Sequence, residues 1–199
     1  MSRSEKRNIR IQLQKMYLNN HSYFSLRYGT LSEINLLEMA KQHGCECFVL
    51  TDINNTSACL NFMRKAPEYG IRPVIGIDFR VGIQQKYVCL AKNNQGFLEL
   101  NNSEIAPKFS NCITIYPFEQ VLHLDKLTFA EDEYIGIGLS EINKLRFSQL
   151  SEFKSHLVIF QPVSFSSIRD FNTHRLLRAM DNNILLSKLP EDEQAKKTH

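Results

Sequence analysis

Phe48-Val-Leu-Thr-Asp-Ile-Asn-Asn55 is a short apolar run that ends in polar residues. A continuous apolar run of that length is what a strand buried on both faces requires. Upstream, Met16-Tyr-Leu-Asn-Asn-His-Ser-Tyr-Phe-Ser-Leu-Arg-Tyr-Gly29 has the same form. Alternating apolar residues from Arg10 to Leu18 read as a strand ending near Asn19, followed by a loop through Gly29. Between the two runs, Glu33 to Gln42 places Ile34, Leu37 and Ala40 on one helical face. Ser32 is its N-cap and Gly44 its stop. Strand, helix, strand in that order argues for β-α units, in which strand ends and the loops after them line the site.

The alternation continues. Ala58 to Tyr69 reads as a helix with Cys59, Phe62, Met63 and Ala66 inward, and Pro67 marks its last turn. Strands are expected at Arg72–Val81 and Lys86–Ala91, with Leu50, Val74, Ile75 and Leu90 in the core. Asn93–Gly96 is a turn before a helix starting at Phe97. Later strands fall at Ile113–Tyr116, Tyr134–Leu139 and His156–Gln161, the second weakened by Gly136 and Gly138. Phe118–Leu122 is a helical turn. Asn143–Ser155 and Ser167–Asn182 read as helices, the second with Ile168, Phe171, Leu176 and Met180 apolar. The organisation expected is a basic arm over residues 1–15, one domain over 16–187 and a charged, frayed tail over 188–199.

The chain has 199 residues, enough for one domain with a sizeable core. Its 43% hydrophobic and 23% charged content are those of a soluble globular protein. A net charge of +3 is no nucleic-acid footprint without clustering, and the one cluster is the arm: Arg3, Lys6, Arg7, Arg10 and Lys15. Cys45, Cys47, Cys59, Cys89 and Cys112 are an odd number, mostly within apolar runs, and read as reduced core residues of a cytoplasmic protein. No apolar run has membrane-spanning length, and no signal peptide is visible. His43, His123, His156 and His174 lack ligand spacing. Gly-Thr-Leu-Ser and Gly-Ile-Gly-Leu-Ser lack the following lysine of a phosphate loop, and no Gly-x-Ser-x-Gly elbow occurs.

Four motifs in order carry a family resemblance: His21-Ser-Tyr-Phe-Ser-Leu-Arg-Tyr-Gly, Leu50-Thr-Asp, Gly70-Ile-Arg-Pro-Val-Ile-Gly-Ile-Asp and Leu90-Ala-Lys-Asn-Asn-Gln-Gly-Phe. Together they resemble the N-terminal PHP (polymerase and histidinol phosphatase) domain of bacterial DNA polymerase III α subunits, closely over residues 16–101 and more weakly to about 187. The resemblance implies an α/β fold, an irregular seven-stranded β/α barrel.

In metal-binding members of the family, His, Asp and Glu at strand ends hold divalent ions that activate water for phosphate hydrolysis. Here the first His of the family's His-x-His pair falls on Asn19, and the second on His21. Its Asp falls on Asp52, the His after that on Ile53, and an acidic ligand on Asp78. A late Asn-Asp-Val-His-Tyr falls on Gln161, Pro162, Val163, Ser164 and Phe165. His21, Asp52 and Asp78 remain as weak metal candidates, and three donors cannot hold a cluster. No catalytic residue and no bound cofactor are therefore expected.

The implied function is that of a degenerate, non-catalytic PHP domain of a polymerase III α subunit, a DNA-directed DNA polymerase of DNA replication. Its role would be structural or partner-docking, toward the rest of the polymerase or a replisome subunit such as a proofreading exonuclease. DNA would be met through the parent assembly only. The alternative is a metal-dependent phosphoesterase or 3′–5′ exonuclease with a reduced metal site. A third reading is a remnant that binds a partner outside replication.

Overall fold

A computed structural model describes residues 17–102, 109–122 and 128–195, so the basic arm lies outside the described residues. Among the described residues eight strands occur in chain order: β1 Asn19–Asn20, β2 Cys47–Ile53, β3 Arg72–Val81, β4 Gln84–Ala91, β5 Cys112–Pro117, β6 Glu133–Ile137, β7 Leu157–Ile159 and β8 Pro162–Val163. Six of them form one sheet in the order β2-β3-β4-β5-β6-β7, and β1 pairs with β8 in parallel. Only Phe160 and Gln161 separate β7 from β8, so the two are one interrupted passage. The result is a ring of seven staves in an α/β chain.

The ring is closed by side chains rather than by a ladder. The Asn20 amide nitrogen Nδ2 donates to the Val49 carbonyl at 2.6 Å and to the Tyr17 carbonyl at 2.8 Å. The Asn20 backbone N–H donates to Thr51 Oγ1 at 2.9 Å, and that hydroxyl donates to Asn19 Oδ1 at 3.1 Å. These bonds join β1 to β2 across a buried seam, where an unpaired backbone carbonyl would be costly.

Six α-helices among the described residues flank the staves: α1 Glu33–Gln42, α2 Cys59–Lys65, α3 Asn94–Asn101, α4 Phe118–Leu122, α5 Ile142–Arg146 and α6 Ile168–Asp181. Strand residues alternate between two cores. Phe48 and Leu50 pack outward with Leu36, Leu37 and Phe62 of α1 and α2. Val49 packs inward with Val88, Leu90, Ile115 and Phe160. Ser32 caps α1, accepting from the Asn35 N–H at 3.0 Å, and Gly44 ends it at φ +68°. Gly136 is required by the inner core: a Cβ there would lie 2.6 Å from Phe160 Cγ. All five cysteines are buried.

Several expectations are corrected. The β-α alternation suggested parallel pairing, yet β3–β4 and β4–β5 are antiparallel. Gly82, at φ +60°, lets the chain turn back at once, leaving no length for a crossover helix. β2 runs on through Asp52 and Ile53, which pair with Ile77 and Asp78 of β3. Met63 is exposed while Cys59, Phe62 and Ala66 are buried. Val74 and Ile75 are only half-buried, lining an apolar cavity of about 910 Å³ at the end of the ring away from His21.

The helix expected over Asn143–Ser155 is broken after Arg146 into 3₁₀ turns at Gln149–Glu152 and Lys154–His156. The Ser148 and Ser151 hydroxyls bond to the Leu145 and Ser148 carbonyls and compete with the helix for them. The apolar positions Ile168, Leu176 and Met180 of α6 are exposed, and its buried side is His174, Arg178 and Ala179. The frayed tail is instead docked through Ala195. Arg178 reaches Glu193 Oε2 at 2.6 Å, Arg175 reaches Gln194 Oε1 at 2.9 Å, and Leu189 is buried. No described helix is long and apolar enough to cross a membrane.

The seam gives a test. Asn20→Ala leaves the Val49 carbonyl buried without its donor and should cost about 1–3 kcal/mol in denaturant unfolding. Thr51→Ser, which keeps the hydroxyl, should cost markedly less.

Candidate functional site

The C-terminal ends of β1, β2, β3 and β8 meet at one mouth of the ring. Asp78, on the inward side of β3, is wholly buried. Its Oδ2 accepts from His21 Nε2 at 2.9 Å, from Arg80 Nε at 3.0 Å and from an Arg80 terminal nitrogen at 2.7 Å. Its Oδ1 has no hydrogen-bond partner. Burial works to raise the Asp78 carboxyl; the Arg80 guanidinium and then the His21 bond outweigh it and hold it below the usual range. The same pair pushes the Arg80 guanidinium up, against its own desolvation.

Arg80 is fixed from three sides. Two residues after Asp78, it projects to the same face of the strand. Asn54 brackets its backbone, accepting from the Arg80 N–H at 2.8 Å and donating to the Arg80 carbonyl at 3.0 Å. The guanidinium lies over the Tyr28 ring, 4.6 Å from its centroid. Tyr28 in turn meets the edges of His21 at 5.3 Å and His174 at 4.6 Å.

Asp52 faces elsewhere. By strand parity it follows Phe48 and Leu50, outward, whereas Ile53 follows Val49. Its Oδ1 accepts from the Ser22 N–H and the Ser25 hydroxyl, and its Oδ2 from the Ser22 hydroxyl, all at 2.7 Å. Ser25 then accepts from the Ile53 N–H at 3.0 Å. The aspartate thus pins the loop after β1 to the end of β2.

Asn19 and Ile53 line a mouth cavity of about 620 Å³, with Arg80, Arg178 and the docked tail around it. Ser164 lies beside His21, its Oγ 2.8 Å from Nδ1. The mouth therefore gathers His21, Asp78 and Ser164 into one bonded set and leaves Asp52 in another. Among the described residues, no three His, Cys, Asp or Glu side chains stand as a metal-ligand group. A polynuclear metal centre does not fit this donor set. One carboxylate is committed to a guanidinium and an imidazole, the other to a serine loop, and Ile53 offers a hydrocarbon.

Sequence reading passed over Arg80, Tyr28, Ser22, Ser25, Asn54 and His174. Asp78-Phe79-Arg80 held the clue: two opposite charges at period two on a buried strand must face each other or the same partner.

Residues 18–112 match the PHP domain. Over these residues the chain is similar to the PHP domain of polymerase III α-type proteins. A DNA polymerase III subunit alpha from Ureaplasma parvum is 37% identical over 83 residues, 42% of this chain and 8% of that protein. An error-prone DNA polymerase from Symbiobacterium thermophilum is 35% identical over 86 residues, 43% of this chain and 8% of its own length. A DNA polymerase III subunit alpha from Streptococcus pyogenes is 22% identical over 188 residues, 87% of this chain and 18% of its own. The chain thus spans less than a fifth of these relatives. A solved amidohydrolase from Chromobacterium violaceum overlays with a TM-score of 0.37 and 11% identity, over 85% of this chain and 84% of its own. That likeness is too distant to add to the assignment.

His174 joins the mouth to the tail. Its Nδ1–H donates to the Tyr28 carbonyl at 2.7 Å, and its Nε2 accepts from the Ala195 N–H at 2.9 Å. Burial lowers its pKa from the ordinary 6.5; the Tyr28 bond opposes this and the Arg178 charge assists it. The folded state therefore keeps the ring neutral where the unfolded chain protonates it. That stability is full above 6.5 and is lost as pH falls from there toward the lowered folded value. Melting temperature should fall between pH 7 and 5.5, and the fall should flatten in His174→Asn.

Proposed function

We propose that this chain is a non-catalytic PHP domain of a polymerase III α-type replicative polymerase, with a structural or partner-docking role. One observation carries the reading: Asp78 is bonded to Arg80 and His21 within the fold, at the position where the resemblance puts an acidic metal ligand. The site's charges are satisfied without an ion, and its three candidate ligands do not converge. The kinship to polymerase subunits supports membership of a larger assembly, in the cytoplasm where replication proteins act. The exposed Ile168, Leu176 and Met180 of α6 form an apolar strip of the kind that marks a docking surface. The partners that the reading favours are the rest of a polymerase or a proofreading exonuclease, with DNA reached through the assembly.

A second reading, a phosphoesterase or 3′–5′ exonuclease with a reduced metal site, draws on Asp78 Oδ1, a buried acceptor with no partner. Phosphatase and 3′–5′ exonuclease assays with manganese, zinc and magnesium separate the two. The expected outcome is no turnover above buffer. Turnover that vanishes in His21→Ala with Asp52→Ala would establish the second reading instead.

A further inference from the structure

We propose that Arg80 is the resident cation of the PHP site: its guanidinium takes the electrostatic role of a metal ion toward Asp78 and closes the site to divalent metals. The inference goes beyond the docking role and does not depend on it.

The physical case begins with Asp78. A carboxylate with no exposed surface requires a compensating positive charge. Two groups could meet that need at the mouth, His21 and Arg80, and all three of their bonds go to the same oxygen, Oδ2. Of the two, Arg80 is charged at every working pH and presents two N–H groups in a rigid fork. It lies 8% exposed, and its side chain arises from the same strand as the carboxylate. A divalent ion approaching Oδ2 would meet a fixed positive charge already in bonding contact. Removing Ile53 or Asn19 changes none of this.

The guanidinium is also not free to swing away. Its backbone is held by both ends of the Asn54 amide, and Asn54 itself is locked at φ +52° just past Ile53. Tyr28 lies against its flat face, backed by His174 and α6. The β3–β4 register shifts between Phe79 and Arg80, where Lys86 of β4 is passed over, and Arg80 itself stays in the ladder opposite Gln85. A cation held by a strand, a loop amide and an aromatic face is built in, not adventitious.

The consequence is a rule about what restores metal binding. Returning imidazoles at the two lost positions, Asn19→His with Ile53→His, should not load the site while Arg80 remains. Adding Arg80→Met, which keeps the bulk and removes the charge, should. Adding Arg80→Lys instead keeps a positive charge there and should not.

The experiment is equilibrium dialysis of the full chain and these three variants against micromolar zinc or manganese, with bound metal per chain measured by atomic emission and melting temperature recorded with and without metal. The Arg80→Met triple variant should hold metal at least about tenfold more tightly than the other chains, and it alone should gain melting temperature with metal. Metal loading by the double variant comparable to the triple would overturn the proposal. So would a folded triple variant that loads none. If the triple variant does not fold, the double variant decides by itself, since its loading defeats the proposal and its failure to load supports it. Without any metal, single Arg80→Met should melt well below single Arg80→Lys, and equal melting would refute the resident-cation role. None of these readouts involves catalysis or docking, so they stand or fall apart from the proposed function.

Discussion

The mouth of this ring is organised by one requirement: the Asp78 carboxylate is buried and must be compensated from inside the protein. Arg80 answers it from two residues away, which strand pairing alone makes possible. To be in that place Arg80 needs its backbone held, and Asn54 holds it. To be desolvated without excessive cost it needs a favourable face, and Tyr28 supplies one. Tyr28 needs the loop after β1 to be fixed, which is the work of Asp52 through Ser22 and Ser25. Asp78 and Asp52 thus anchor opposite faces of the barrel wall.

Ring closure follows the same logic of satisfying buried polar groups by side chains. β1 contributes two residues to its ladder with β8 and none to a ladder with β2. Asn20 and Thr51 fill that gap, so polar residues at the strand end are part of the wall as well as of the mouth. Gly136 makes the complementary concession on the far side, giving its volume to Phe160 of the β7–β8 passage.

Local signals carried much of this. Ser32, the 3.6-residue period and Gly44 delimit α1 by themselves, and the apolar run at Cys47 marks β2. Arg72–Val81 reads as one strand because Pro73 can open a strand and Val74, Ile75, Ile77, Phe79 and Val81 follow it. What local signals do not contain is direction. Nothing in Lys86–Ala91 says that it pairs antiparallel with β3; the tight turn at Gly82 decides that. The break after Arg146 is similar, for the helical period continues while serine hydroxyls draw the backbone away. The site was legible as a set of positions and illegible as a network. His21, Asp78 and Ser164 could be placed near one mouth by alignment, yet Arg80 looked like any strand residue until its partner was known. The docked tail was hidden because its polar residues meet Arg175 and Arg178, residues that a helix would ordinarily turn to water.

The partner strands β1 and β8 also set an order of assembly. Asn19–Asn20 can pair with Pro162–Val163 only after nearly every intervening stave exists, and the His21–Ser164 bond spans 143 positions of sequence. Closing a loop of that length is entropically unfavourable until the intervening chain has condensed. The β2–β3–β4 region, with its adjacent and near-adjacent pairings, can gather early. Contacts across the mouth therefore carry the largest loop-closure cost in the ring. The hydrogen-bonded centre of the mouth acts as the clasp of the barrel, and an intact clasp is a sign that the whole circuit has been completed.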